Sequence, residues 1–110
     1  MKTNIKTLII SGGDIKKETL NNTLKHINFN NIIAVDKGLE ILDECKIKPN
    51  YIIGDFDSVN PELINKYSNS KIIKLNPEKD FTDTQMAIKL AIEIKSTEIL
   101  ILGAIGTRID

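Results

Sequence analysis

A doubly wound, mainly parallel α/β sheet is the fold class this sequence predicts. Three observations predict it: short runs rich in Ile, Leu and Val, amphipathic segments spaced between them, and enough chain for one core. The first run, Lys6 to Ile10, lacks the polar alternation of a half-exposed strand, as a strand covered on both faces requires. Lys17 to Ile27 then reads as a helix with Leu20, Leu24 and Ile27 on one face. Ile32 to Val35 is the second strand, and Gly38 to Cys45 the second helix, its stripe formed by Ile41, Leu42 and Cys45. Tyr51 to Ile53 is the third strand. Pro61 behind Asn60 has the form of a first-turn proline behind an N-cap, which opens a helix running to about Tyr67. Lys71 to Leu75 is the fourth strand. From Thr82 to about Lys95, Ala87, Leu90, Ala91 and Ile94 make an apolar stripe opposite Gln85, Lys89 and Glu93. Glu98 to Leu102 completes the order βαβαβαβαβ. Right-handed crossovers fold that order into a Rossmann-like sheet with helices on both faces, and such sheets take their ligands at the carboxyl ends of the strands.

Composition narrows the function. With 110 residues and 41% hydrophobic content the chain supports one core, so residues 1–110 read as one domain or part of a larger protein. Fifteen Lys plus Arg balance fifteen Asp plus Glu, which gives no basis for a nucleic-acid or membrane partner and favours small substrates. The single cysteine, Cys45, has no internal partner and no charged leader opens the sequence, so a cytoplasmic location is expected. Cys45 itself continues an apolar stripe and reads as core. His26 ends a helix, where it suits a capping role better than catalysis.

The unusual residues fall at the carboxyl edge. Strand one ends in Ser11-Gly12-Gly13-Asp14, strand two in Asp36-Lys37-Gly38, strand three in Gly54-Asp55-Phe56-Asp57-Ser58, and strand five in Gly103-Ala104-Ile105-Gly106-Thr107-Arg108-Ile109-Asp110. Any one glycine there is explained by a turn. Several at one rim also let backbone N–H groups approach a phosphate chain. Neither a G-x-G-x-x-G fingerprint nor a P-loop is present, so Asp36 is not read as a dinucleotide ribose ligand.

In an extended backbone Asp55 and Asp57 face one point while Phe56 turns to the core. Two carboxylates so close repel unless a cation lies between them, and hard oxygen donors suit Mg²⁺. The competing explanation is an Asx-turn pair capping the next helix; the metal reading is preferred because a plain turn gives no reason for two acids on one face. Lys79-Asp80-Phe81-Thr82-Asp83 opens the long helix. Thr82 with Gln85 makes a capping box, whereas Lys79, Asp80 and Asp83 at the same helix mouth also suit a phosphate or cation site, and both readings stand. Arg108 has the geometry to clamp phosphate oxygens, or to form a surface salt bridge with an acid.

Val35-Asp36-Lys37-Gly38, Gly54-Asp55-Phe56-Asp57-Ser58, Lys79-Asp80-Phe81-Thr82-Asp83 and Gly103-Ala104-Ile105-Gly106-Thr107-Arg108-Ile109-Asp110 stand in an order and spacing that closely resemble the thiamine pyrophosphokinase family over nearly the whole chain. The resemblance implies transfer of pyrophosphate from ATP to thiamine, giving thiamine diphosphate and AMP, with Mg²⁺ required and a homodimer as the assembly. Carried over motif by motif, it implies that Asp55, Asp57 and Asp83 hold Mg²⁺. Lys79 and Arg108 neutralise the transferring group, with Asp80 and Asp110 orienting them. Gly12, Gly13, Asp36, Lys37, Gly38 and Thr82 complete the nucleotide site. Two departures stand out. Thr107 replaces a second glycine, and the sequence stops where the family continues into a β-sandwich domain that supplies much of the thiamine pocket. Lacking that domain, the chain is expected to bind Mg-nucleotide weakly and to leave thiamine unconverted. Two rivals remain: an aspartate-nucleophile phosphatase of the haloacid dehalogenase type, with Asp55 phosphorylated, and a non-catalytic nucleotide-binding module.

Overall fold

The computed structural model describes residues 4–12, 15–57, 59–76, 82–103 and 108–109. Its elements follow the expected alternation: β1 (Lys6–Ile10), α1 (Lys17–His26), β2 (Asn31–Val35), α2 (Gly38–Glu44), β3 (Tyr51–Gly54), α3 (Pro61–Lys66), β4 (Lys71–Lys74), α4 (Asp83–Glu93), β5 (Glu98–Leu102) and β6 (Arg108–Ile109). The sheet order is β4-β3-β2-β1-β5-β6. The first five strands pair in parallel, and only β6 runs antiparallel, against β5.

That order explains the two layers. From β1 to β4 the chain steps one way across the sheet, so right-handed crossovers place α1, α2 and α3 on one face; the return to β5 sends α4 to the other. The core follows suit. Leu8, Ile10, Ala34 and Ile52 pack with Leu20 of α1, Leu39 and Leu42 of α2, and Leu63 and Ile64 of α3. Ile9, Ile33, Val35 and Ile53 face the other way, onto Ala87 and Ala91 of α4. Alternate residues of β1 are thus buried on opposite faces, which is why its apolar run is continuous. Burying each such Leu or Ile side chain contributes about 1.5–3 kcal/mol.

Local signals close the elements. Asn60 accepts a hydrogen bond from the Glu62 N–H at 2.9 Å ahead of Pro61. Thr82 and Gln85 form the reciprocal capping box, with the Thr82 N–H donating to Gln85 Oε1 and the Gln85 N–H to Thr82 Oγ1. His26 Nδ1 lies 2.8 Å from the Asn22 carbonyl, one turn back in α1. Cys45 is half-buried against the α1–α3 core. α4 ends two residues short of the expected Lys95, because Lys95 takes a left-handed φ of 69° that closes the helix.

The amino edge of the sheet is sewn by a recurring device that the sequence reading missed. The residue before a strand pairs reciprocally with the neighbouring strand, its N–H donating to a carbonyl while its side-chain oxygen accepts an N–H. Asn30 does this with Lys6, Asn50 with Ile32, and Thr97 with Ile5. β6 was also not expected. Two residues carry no hydrophobic period, and only the reversal after β5 brings them into pairing. No helix among the described residues is long and apolar enough to cross a membrane.

Candidate metal and phosphate site

Three carboxylates from three separate segments converge at the carboxyl edge. Asp36 follows β2, Asp55 follows β3, and Asp83 opens α4; one oxygen from each lies within 4.8 Å of the others. The strand order is the cause, since β2 and β3 are neighbours and α4 packs across them on the opposite face from α2.

Asp36 is the pivot. Its φ of 46° is left-handed, a conformation that Asp tolerates better than most residues. Its N–H donates to the Ile53 carbonyl at 3.0 Å, and its carbonyl accepts from the Leu39 N–H at 3.1 Å, locking the turn between β2 and α2. The carboxylate then reaches over β3, where Oδ1 accepts the Phe56 N–H at 3.1 Å. Gly54 makes this possible: a Cβ there would stand 2.1 Å from Asp36 Oδ1. Burial pushes the Asp36 carboxyl up to about 7; a hydrogen bond with the Asp83 side chain and the charges of Asp83 and Asp55 add to the rise, and the Phe56 N–H opposes it.

The Gly54-Asp55-Phe56-Asp57 run is a turn and not an extended segment. Phe56 has φ 64°, an outlier for a bulky residue, sustained by its N–H bond to Asp36 and by its ring packing on the α1–α3 core. Asp55 Oδ1 accepts the Asp57 N–H at 3.1 Å, an Asx-turn. The alternation that was to aim Asp55 and Asp57 at one point therefore does not hold. Asp57 is exposed and stands outside the cluster, and Asp36 occupies the third position.

The remaining expected residues are distributed around this centre. Thr82 is the exposed N-cap of α4 and Lys37 the exposed N-cap of α2. Gly38 is buried, and a Cβ on it would meet the Ile10 carbonyl oxygen at 2.0 Å, so its glycine is required by the approach of α2 to β1. Gly12, with φ 87°, lies buried beside it. Arg108 is described through its backbone, which pairs with Leu100, two residues before the end of β5. Gly13, Lys79, Asp80 and Asp110 lie outside the described residues.

The donor set fits a hard divalent ion. Oxygens bound to one Mg²⁺ at about 2.1 Å lie at most about 4.2 Å apart, so a slight contraction of the cluster would enclose one. Acids at such spacing repel one another unless a cation lies between them. The positive end of the α4 dipole favours the Asp83 carboxylate and any anion held beside it.

Comparison with known proteins points one way. The family model described as "Thiamin pyrophosphokinase, catalytic domain" matches residues 22–110. Thiamin pyrophosphokinase 1 of Caenorhabditis elegans is 34% identical over 68 residues, which cover 56% of this chain and 27% of that protein. The solved thiamin pyrophosphokinase from Geobacillus thermodenitrificans superposes with a TM-score of 0.73 at 26% identity, covering 94% of this chain and 49% of that one. The thiamine pyrophosphokinase from Bacillus subtilis gives a TM-score of 0.71 at 28% identity, with coverage of 94% and 49%. The chain thus spans about half the length of these solved relatives and about a quarter of the curated one.

Proposed function

Because this chain belongs to the thiamin pyrophosphokinase catalytic-domain family, we propose that it is the ATP- and Mg²⁺-holding domain of an enzyme that transfers pyrophosphate from ATP to thiamine, giving thiamine diphosphate and AMP. The observation that carries this reading is the convergence of Asp36, Asp55 and Asp83 beside the first turn of α4. Family membership leaves no ground for the aspartyl-phosphatase alternative.

In this proposal Asp36, Asp55 and Asp83 hold Mg²⁺, and Asp57 faces the bound nucleotide from the exposed side of its turn. The ion supplies charge neutralisation for phosphate oxygens. Gly12, Gly13, Lys37, Gly38 and Thr82 line the path of the triphosphate. Lys79 and Arg108 counter the charge on the transferring group, and Asp80 and Asp110 orient them. Pyrophosphoryl transfer of this kind makes little demand on a strong base, so positioning and charge neutralisation carry most of the rate. We further propose a cytoplasmic enzyme that works as a homodimer, with ATP and thiamine as its small-molecule partners.

Isothermal titration with ATP, with and without Mg²⁺, tests the reading on this chain. Nucleotide binding that needs Mg²⁺ and disappears in Asp55→Ala is the expected result. Binding indifferent to Mg²⁺, or unchanged in that variant, removes the assignment.

A further inference from the structure

The hydroxyls of Ser11 and Thr84 meet at 2.6 Å. Ser11 is the first residue beyond β1, and Thr84 is the second residue of α4, directly after Asp83. Ser11 is itself anchored, its N–H donating to the Leu102 carbonyl at 2.8 Å where β5 ends. The bond therefore runs from the junction of β1 and β5, where the strand order reverses, to the helix turn that carries one of the three acids.

That turn needs such a tie. The capping box joins Thr82 to Gln85 within the helix and fixes its local geometry, but it makes no bond to the sheet. Farther along, α4 rests on the sheet through Ala87 and Ala91, flanked by the partly buried Met86, Ile88 and Leu90, and these contacts are apolar and begin three residues past Asp83. Each residue turns a helix by about 100°, so a modest rotation swings the Asp83 carboxylate out of reach of Asp36 and Asp55. A hydrogen bond is directional where apolar contact is not.

We propose that Ser11 and Thr84 are positioning residues whose paired hydroxyls hold α4 in the rotation that brings Asp83 against Asp36 and Asp55. The cation arm of the test rests on the reading that these acids hold a divalent ion; the second arm does not.

Mn²⁺ binding to the 110-residue chain is measured for wild type, Ser11→Ala, Thr84→Val, Thr84→Ser and the Ser11→Ala/Thr84→Val pair. Either hydroxyl deletion should weaken Mn²⁺ by roughly tenfold, as loss of a group supporting metal ligands does, with the urea midpoint little changed. Thr84→Ser should bind like wild type, and the double variant no more weakly than either single one. Wild-type affinity in both single variants, or additive losses in the double, overturns the proposal. In parallel, the Phe56 amide resonance reports the Asp36 carboxylate without any cation, because that N–H donates to it. It should shift in Ser11→Ala and Thr84→Val and stay put in Thr84→Ser. No shift in the two deletions overturns the positioning role even if the chain binds no Mn²⁺, while a shift without Mn²⁺ binding sustains it and defeats the cation reading alone.

Discussion

A carboxyl oxygen of Asp36 and one of Asp83 lie within 4.8 Å of each other at the carboxyl edge of the sheet, although one residue follows β2 and the other opens α4. Burial, with Asp83 beside it, raises the Asp36 carboxyl to about 7, so a proton on Asp36 is what a divalent cation must displace near neutrality.

Proton release should therefore accompany cation binding. With Asp36 pushed up to about 7, binding of Mn²⁺ at pH 7 should liberate about half a proton per ion, and almost none at pH 8.5. Calorimetry in buffers of different ionisation enthalpy measures this directly. The same shift sets a stability trend. A carboxyl raised in the folded state adds stability that is complete below its ordinary value of 3.8 and lost as pH rises through about 7. In cation-free buffer, wild type should lose stability relative to Asp36→Asn across that window.

Asp36 and Asp57 offer a direct contest between local pattern and tertiary geometry. Asp36→Asn should weaken Mn²⁺ by about tenfold or more, since it removes a charged ligand from the cluster. Asp57→Asn should cost much less, because Asp57 is exposed and outside it. Titration of both variants decides; the reverse ranking would falsify the placement of Asp36 as ligand.

Gly54→Ala should damage both stability and site. Its Cβ would fall 2.1 Å from Asp36 Oδ1, and the backbone there sits at φ 152°. A loss of about 2 kcal/mol is expected from forced overpacking, read as a lowered urea midpoint, together with weakened Mn²⁺ binding as the Asp36 carboxylate is displaced.

Asp43 should affect the fold without touching the site. Its Oδ1 accepts from Lys66 Nζ at 2.7 Å and from the Tyr67 hydroxyl at 2.6 Å, joining α2 to the end of α3 away from the acids. The hydrogen bonds from Lys66 and Tyr67 hold the Asp43 carboxyl below its ordinary value, while burial and the Asp43 carboxylate push the Tyr67 hydroxyl up to about 12. A lowered carboxyl contributes stability above its unfolded value of 3.8 that disappears as pH falls through the folded one. Asp43→Ala should thus cost about 1 kcal/mol at pH 7, and the gap from wild type should narrow as pH falls below 3.8 in denaturant titrations, with Mn²⁺ affinity unchanged at pH 7.

What the sequence determined by itself is the succession of elements and their ends. The apolar run of Lys6–Ile10, the Asn60-Pro61 start and the Thr82/Gln85 box are each written within a few neighbouring residues, because backbone hydrogen bonding and side-chain periodicity act over a single turn or strand. The carboxyl-edge location of Asp36, Asp55 and Asp83 followed from that succession. Their grouping did not. Which acids meet depends on the order of strands and on the sign of φ at Asp36 and Phe56, and the turn is held by partners distant in sequence: the Asp36 carboxylate bonding the Phe56 N–H and Gly54 leaving room for it. An alternation rule assumes an extended backbone, so it could not see that Asp57 turns outward once Phe56 enters the left-handed region. Local chemistry chose the pieces, and long-range hydrogen bonds in a packed sheet chose the directions in which their side chains point.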